Sequence, residues 1–366
     1  MRILFAGGGT AGHINPALSI ANYFRERDNA FQALFIGTER GLETKLVPRE
    51  GYEIRYIDIR GFDRRRLWRN VAVLYKLAAA RRACREIMEE FKPDAVVCTG
   101  GYVSGPVAMA AGKLHLPAII HEQNVYPGLT VKGAEKYVNY VVTSFEETKN
   151  YMKHPEKCVL AGNPLRPEIL KTDRAEARKK LGLGKEPFVL VFGGSLGAEK
   201  INETMAGVLQ KIKPGAMRLL FGTGDRNYDR TKARLAQAGV DLGGEIQVVP
   251  YINNMETVMP AADLIVSRAG AITVSEIAAL GKPSILIPSP NVVRNHQEQN
   301  ARAFEAKGAA VVLTEDRLTA DTLFEAMMKL VSDPQALEKM GRNVKKIAKT
   351  DALEQIYKLI LGIVKQ

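Results

Sequence analysis

The chain has 366 residues, 46% hydrophobic and 25% charged, and a formal net charge of +12. That length predicts two domains rather than one core, and the composition is that of a globular protein. No uninterrupted apolar run reaches the roughly 18 residues of a spanning helix, and the excess of Lys and Arg points to an anionic partner without choosing among nucleic acid, acidic lipid and a phosphorylated substrate.

In chain order, short apolar runs alternate with helix-length amphipathic segments. The opening residues MRILFAGGG read as a first strand rather than a signal peptide. Strands are expected at 3–6, 33–36, 95–99, 118–121 and 140–143. The runs do not alternate polar and apolar, as expected for a parallel sheet covered by helices on both faces. After Gly162-Asn163-Pro164-Leu165-Arg166-Pro167, a linker-like segment, the pattern restarts with strands at 188–192, 218–221, 246–249, 264–267, 284–287 and 310–313. The expectation is an α/β protein of two Rossmann-like domains, 1–163 and 164–350, with parallel sheets facing a cleft and ligands at the C-terminal strand ends. A final helix, 351–364, carries Leu353, Ile356, Leu359, Ile360 and Ile363 on one face and is expected to return toward the first domain.

The loops carry the chemistry. Gly7-Gly8-Gly9-Thr10-Ala11-Gly12-His13 follows a strand and contains Gly-x-Gly-x-x-Gly, which raises a dinucleotide-dependent oxidoreductase as a rival. The acidic residue that should close the second strand is missing from its place, because Glu39 arrives late and inside a turn. A cofactor loop has no need of His13, whose imidazole suits a base toward a hydroxyl; a histidine that only hydrogen-bonds a loop or ligand is the plainer reading. Gly100-Gly101-Tyr102-Val103-Ser104-Gly105-Pro106 and Gly193-Gly194-Ser195-Leu196-Gly197 are further strand-to-helix glycine turns, suited to anions or simply tight. His121-Glu122-Gln123-Asn124 ends a strand and is expected to line a ligand site.

In the segment 267–297, small residues open a helix where a diphosphate would meet free N–H groups. Glu276, one turn in, suits a ribose diol, although a capped helix with a surface glutamate reads the same way. No Asp-x-Asp pair occurs, and Cys84, Cys98 and Cys158 share no ligand-like spacing. No metal, disulfide or other cofactor is expected, and a reducing cytoplasm is the expected compartment. Arg64, Arg65, Arg66 and Arg69 surround Leu67 and Trp68, ahead of a helix bearing Arg81, Arg82 and Arg85. That surface suits an anionic membrane interface or a solvated basic helix, and suits nucleic acid less well because aromatics are not interleaved.

Taken together, GGGTAGH, GGYVSGP, HEQN, GNPLR, GGSLGA and RAGAITVSEIAALGKPSILIP, in that order, make the chain resemble the peptidoglycan N-acetylglucosaminyltransferase family along nearly its whole length. The resemblance implies an inverting glycosyltransferase of the GT-B fold, peripheral at the cytoplasmic face of the cell membrane. It would move N-acetylglucosamine from UDP-N-acetylglucosamine to the muramoyl 4-hydroxyl of an undecaprenyl-diphosphate-linked acceptor (lipid I), giving lipid II. By motif it implies that Ser195, Arg268 and Thr273 serve the diphosphate, that Ile252 reads the uracil through its backbone, and that Glu276 holds the ribose. Gln297, Thr10, Ala11, Gly12 and Asn124 would meet the sugar, and Arg166 the nucleotide. His13 and Glu122 would act on the acceptor, whose diphosphate would lie on the loops of Gly8, Gly9, Gly100, Gly101, Tyr102 and Ser104. Ala11, Val131 and His296 depart from residues common in the family. A 2-epimerase on the same nucleotide sugar and a non-catalytic UDP-sugar binder remain as alternatives.

Overall fold

A computed structural model of the chain describes residues 1–59, 70–194 and 197–365. The chain divides into two compact units, Met1–Leu165 with Asp351–Gln366, and Arg166–Thr350.

The first unit is built on a sheet of β1 (Arg2–Gly7), β2 (Gln32–Gly37), β3 (Glu53–Tyr56), β4 (Ala95–Gly100), β5 (Ala118–Glu122), β6 (Tyr140–Thr143) and β7 (Cys158–Leu160). Its order is β3-β2-β1-β4-β5-β6-β7, with every pairing parallel. The central strands are apolar runs because both faces are covered: Ile3, Phe5, Val97 and Ile119 pack on one side and Leu4, Val96, Cys98 and Ile120 on the other. Strands β3 and β7 were not expected. Both are edge strands with partly exposed residues, so neither reads as a buried run. Ile356, Ile360 and Ile363 of the last helix, Ala352–Val364, are buried with Ile3, Phe5 and Phe24 of this unit. Each such side chain contributes about 1.5–3 kcal/mol on burial. The Tyr357 ring packs tilted against Phe24, centroids 4.7 Å apart, and the Tyr23 hydroxyl donates to Glu354, fixing the helix on Ala11–Arg25.

The second unit repeats the plan with β8 (Phe188–Phe192), β9 (Arg218–Gly222), β10 (Ile246–Val249), β11 (Leu264–Ser267), β12 (Ser284–Leu286) and β13 (Val311–Val312). They run in the order β10-β9-β8-β11-β12-β13, again all parallel. Pro167 opens the helix Pro167–Lys171, where its missing N–H costs nothing, so the linker-like segment ends in a helix start. The expected α/β class with two parallel sheets is borne out. In each sheet the strand order reverses once, between β1 and β4 and between β8 and β11, and loops leaving the C-terminal ends of such strands are where ligands of doubly wound sheets bind.

Candidate active site

In the first unit both loops at the reversal point are pressed together. The register of β4 against β1 slips by one residue after Ala6, pairing Gly7 with Gly100. This bulge turns Thr99 inward, where its hydroxyl donates to the His13 carbonyl at 2.6 Å. A side chain at Gly101 would strike the Gly8 carbonyl, and one at Gly100 would stand 2.6 Å from His13 Cδ2, so only glycine fits under the imidazole. His13 Nδ1 lies 3.2 Å from Gly8 O and 3.3 Å from Thr10 Oγ1. A carbonyl only accepts, so the contact to Gly8 is a hydrogen bond when Nδ1 carries the proton. Nε2 is then the basic nitrogen of the neutral ring. Thr10, the extended N-cap of Ala11–Arg25, makes no side-chain cap bond to the helix, and Gly12 is exposed.

The structure places three of the expected site groups of this unit inside the fold. Ser104 is fully buried, its Oγ 2.9 Å from Ala6 O and 2.8 Å from Gly100 O and accepting from Gly100 N–H at 3.0 Å. The Gly9 N–H is likewise committed, donating to Glu43 at 2.9 Å. The amides of Gly9 and Gly100 therefore work within the fold, and the exposed part of the second loop is at Tyr102. His121-Glu122-Gln123, expected to line a site, is instead a buried scaffold. His121 sits between Gly162 O and Gln123 Nε2, and Gln123 also donates to Thr99 O. Burial holds the His121 imidazole at a pKa of about 4, against the pull of its bond to Gly162. The Glu122 carboxylate accepts from Asn124 N and Nδ2 and from Gly128 N, which fixes the 123–128 loop. Burial raises its pKa despite those bonds. Glu122 is thus an organiser of its loop, with both carboxylate oxygens occupied, and of the four only Asn124 reaches partial exposure. Val131 belongs to the core.

In the second unit the helix Ala271–Ala279 starts behind Gly270, directly after β11. Asn300, fully buried, donates to Ala269 O at 3.1 Å and holds this loop from behind. Arg268 points into the fold, donating to Ile287 O at 3.1 Å and pairing with Glu315. Thr273 lies half-buried in the first helical turn. Glu276 is 7% exposed and meets Arg166 at 3.3 Å. Burial raises its pKa, and the Arg166 guanidinium pulls it back toward the ionised form. Ile252 packs its side chain over Gly222 at the end of β9. Gln297 accepts from Ser289 N at 2.9 Å, which ties the helix His296–Glu305 to the loop after β12. Ser195 and the patch of Arg64, Arg65, Arg66, Leu67, Trp68 and Arg69 lie outside the described residues.

Glu43 and Asn300 escaped the motif reading. Both sit among other polar residues in the sequence, and only the fold reveals that their partners are the loop peptides.

Residues 3–143 match the glycosyltransferase family 28 N-terminal domain, and residues 188–356 the family 28 C-terminal domain. A relative from Acetivibrio thermocellus is 47% identical over 100% of this chain and 99% of its own; it is the UDP-N-acetylglucosamine--N-acetylmuramyl-(pentapeptide) pyrophosphoryl-undecaprenol N-acetylglucosamine transferase. The chain belongs to glycosyltransferase family 28. The motif-based resemblance is borne out across the whole family 28 chain. The crystal structure of Acinetobacter baumannii MurG aligns with a TM-score of 0.81 at 29% identity, covering 99% of both chains. A UDP-GlcNAc 2-epimerase from Neisseria meningitidis aligns at 0.68 over 99% of this chain and 100% of its own, but with 14% identity, which shows the fold alone. Nothing in the comparisons favours the epimerase reading over transfer.

Proposed function

We infer that this chain is an inverting glycosyltransferase that moves N-acetylglucosamine from UDP-N-acetylglucosamine to the muramoyl 4-hydroxyl of lipid I, releasing UDP and forming lipid II. The observation that carries this is the full-length identity of 47% to an enzyme of that name, with both family domains in place. His13 Nε2 takes the proton of the attacking hydroxyl as the new bond to the anomeric carbon forms and the bond to the diphosphate breaks. Glu276, beside Arg166, accepts the ribose hydroxyls, and the N-terminus of Ala271–Ala279, with Ser195, receives the diphosphate. Ile252 reads the uracil edge; Gln297, Asn124 and residues 10–12 hold the sugar. With Gly9 and Gly100 committed elsewhere, the acceptor diphosphate lies toward Gly101 and Tyr102, at the start of the helix Ser104–Lys113. The residues supply leaving-group stabilisation through helix N–H groups and side chains, and no metal-ligand cluster occurs among the described residues.

Release of UDP from UDP-N-acetylglucosamine is expected only when a lipid I analogue is present. Epimerisation of the donor without acceptor would overturn the assignment. Glu276→Ala is expected to weaken UDP binding by about tenfold or more, since hydrogen bonds to a charged group are worth about 1.5–3 kcal/mol. Titration calorimetry with UDP checks this, and an unchanged Kd removes Glu276 from the ribose.

The chain works at the anionic cytoplasmic surface of the membrane as a peripheral protein; among the described residues no helix is long and apolar enough to cross it. Besides the patch at 64–69, Arg81, Arg82 and Arg85 of the helix Asn70–Phe91 share a groove of about 260 Å³ with Lys113. Arg82 and Arg85 are paired with Glu86 and Glu89. Arg81 and Lys113 are therefore the pair to reverse. Changing both to Glu is expected to weaken binding to vesicles containing anionic lipid by tenfold or more, at about 1 kcal/mol per basic residue. Vesicle co-sedimentation measures it, and unchanged binding excludes this face.

A further inference from the structure

One buried carboxylate lies against the loop of His13 without having been assigned a part in the reaction. Glu43, at the start of the helix Glu43–Arg49, is fully buried. Its Oε1 accepts from Thr38 N at 3.0 Å and from Thr38 Oγ1 at 2.8 Å. Its Oε2 accepts from Gly9 N at 2.9 Å. The fit is close: a Cβ on Gly8 would stand 2.7 Å from Glu43 Oε1.

The N–H that Glu43 holds belongs to the same peptide group whose oxygen, Gly8 O, meets His13 Nδ1 at 3.2 Å. Carboxylate, peptide and imidazole thus form one line of two hydrogen bonds with an amide between them. An anion on the N–H side of an amide polarises it and makes its oxygen a stronger acceptor. The opposing influence is also in place, because Thr10 Oγ1 stands 3.3 Å from the same nitrogen and its hydroxyl can donate there, favouring the other tautomer. Gly8 and Thr10 therefore compete for the state of Nδ1, and Glu43 adds weight to Gly8.

We propose that Glu43 is a positioning residue that acts through the Gly8–Gly9 peptide to hold neutral His13 with its proton on Nδ1, which leaves Nε2 as the base. A carboxylate that orients a histidine directly does the same work in catalytic triads; here a peptide group stands between. The proposal rests on His13 being the base, yet its test does not depend on that role.

The experiment is ¹⁵N NMR of the imidazole nitrogens in the full chain, at a pH where His13 is neutral. The chain has 5 histidines, so the spectrum is sparse, and a His13→Gln variant assigns the resonances by their loss. In the wild type, His13 is expected to show a protonated Nδ1 and an unprotonated Nε2. In Glu43→Gln, which removes the charge at nearly constant shape, the population is expected to move toward Nε2–H. Turnover should fall on the order of tenfold, as part of a general base's contribution is lost, with UDP affinity unchanged. Thr38→Val, which leaves the bond to Gly9 in place, is expected to keep the wild-type tautomer. A wild-type His13 protonated on Nε2 overturns the proposal without any variant. So does a tautomer indifferent to Glu43→Gln, or one moved equally by Thr38→Val. A tautomer shift in Glu43→Gln alongside full turnover in a His13→Ala variant would instead leave the relay standing and remove His13 as the base.

Discussion

Replacing His13 by Ala is expected to lower turnover about 100-fold or more, the contribution typical of a general base, while UDP affinity stays as it was. The separation follows from where the residues lie. His13 belongs to the first unit, and the residues assigned to uracil, ribose and diphosphate belong to the second. A loss of turnover without a loss of UDP binding marks a group that acts on the reacting hydroxyl rather than on the donor. Steady-state kinetics with UDP calorimetry on the same preparation make the comparison. Turnover within a few-fold of the wild type would contradict the assignment. Glu122 does not then stand ready as a substitute, because both its oxygens hold the backbone and side chain of its own loop.

Acid is expected to destabilise the first unit through His121. Its pKa is about 4 in the folded chain, against an ordinary value near 6.5. Between those values the unfolded chain binds a proton that the folded chain does not. Stability is therefore intact above pH 6.5 and falls as pH drops toward 4, by about 3 kcal/mol from this residue. Glu122 acts with the opposite sign, since its raised pKa means that the folded state gains the proton first. A His121→Gln variant leaves Glu122 in place, so the difference between the two proteins isolates the histidine. Urea unfolding at pH 7 and pH 4.5 should show a wild-type loss steeper than the variant's by roughly 2–3 kcal/mol. Parallel losses would mean that His121 accepts a proton without unfolding.

How far the sequence can be read depends on what each residue faces. Strands covered on both sides are continuous apolar runs, so β1, β4, β8 and β11 stand out, and with them the glycine loops at their ends. Strands β3 and β7 do not, because Glu53, Arg55 and Tyr56 sit at an edge where solvent takes one face. The same limit applies to the site. Glycines beside a histidine, and a carboxylate one turn into a helix that opens on small residues, are what make His13 and Glu276 legible as candidates. Spacing does not reveal that His121, Glu122, Gln123 and Ser104 are buried and bonded to loop peptides, because a polar side chain beside a strand end reads alike whether it meets a ligand or a buried peptide. Glu43 was passed over for the converse reason: its partner, Gly9, lies 34 residues away in sequence, and no local pattern joins them.

The most direct test of the central claim is the structure of the product formed from labelled UDP-N-acetylglucosamine and a lipid I analogue. A disaccharide lipid with N-acetylglucosamine in β-linkage to the muramoyl 4-oxygen, formed with one UDP released per transfer, is the predicted result. An α-linkage, attachment at another hydroxyl, or donor turnover without a lipid product would contradict it.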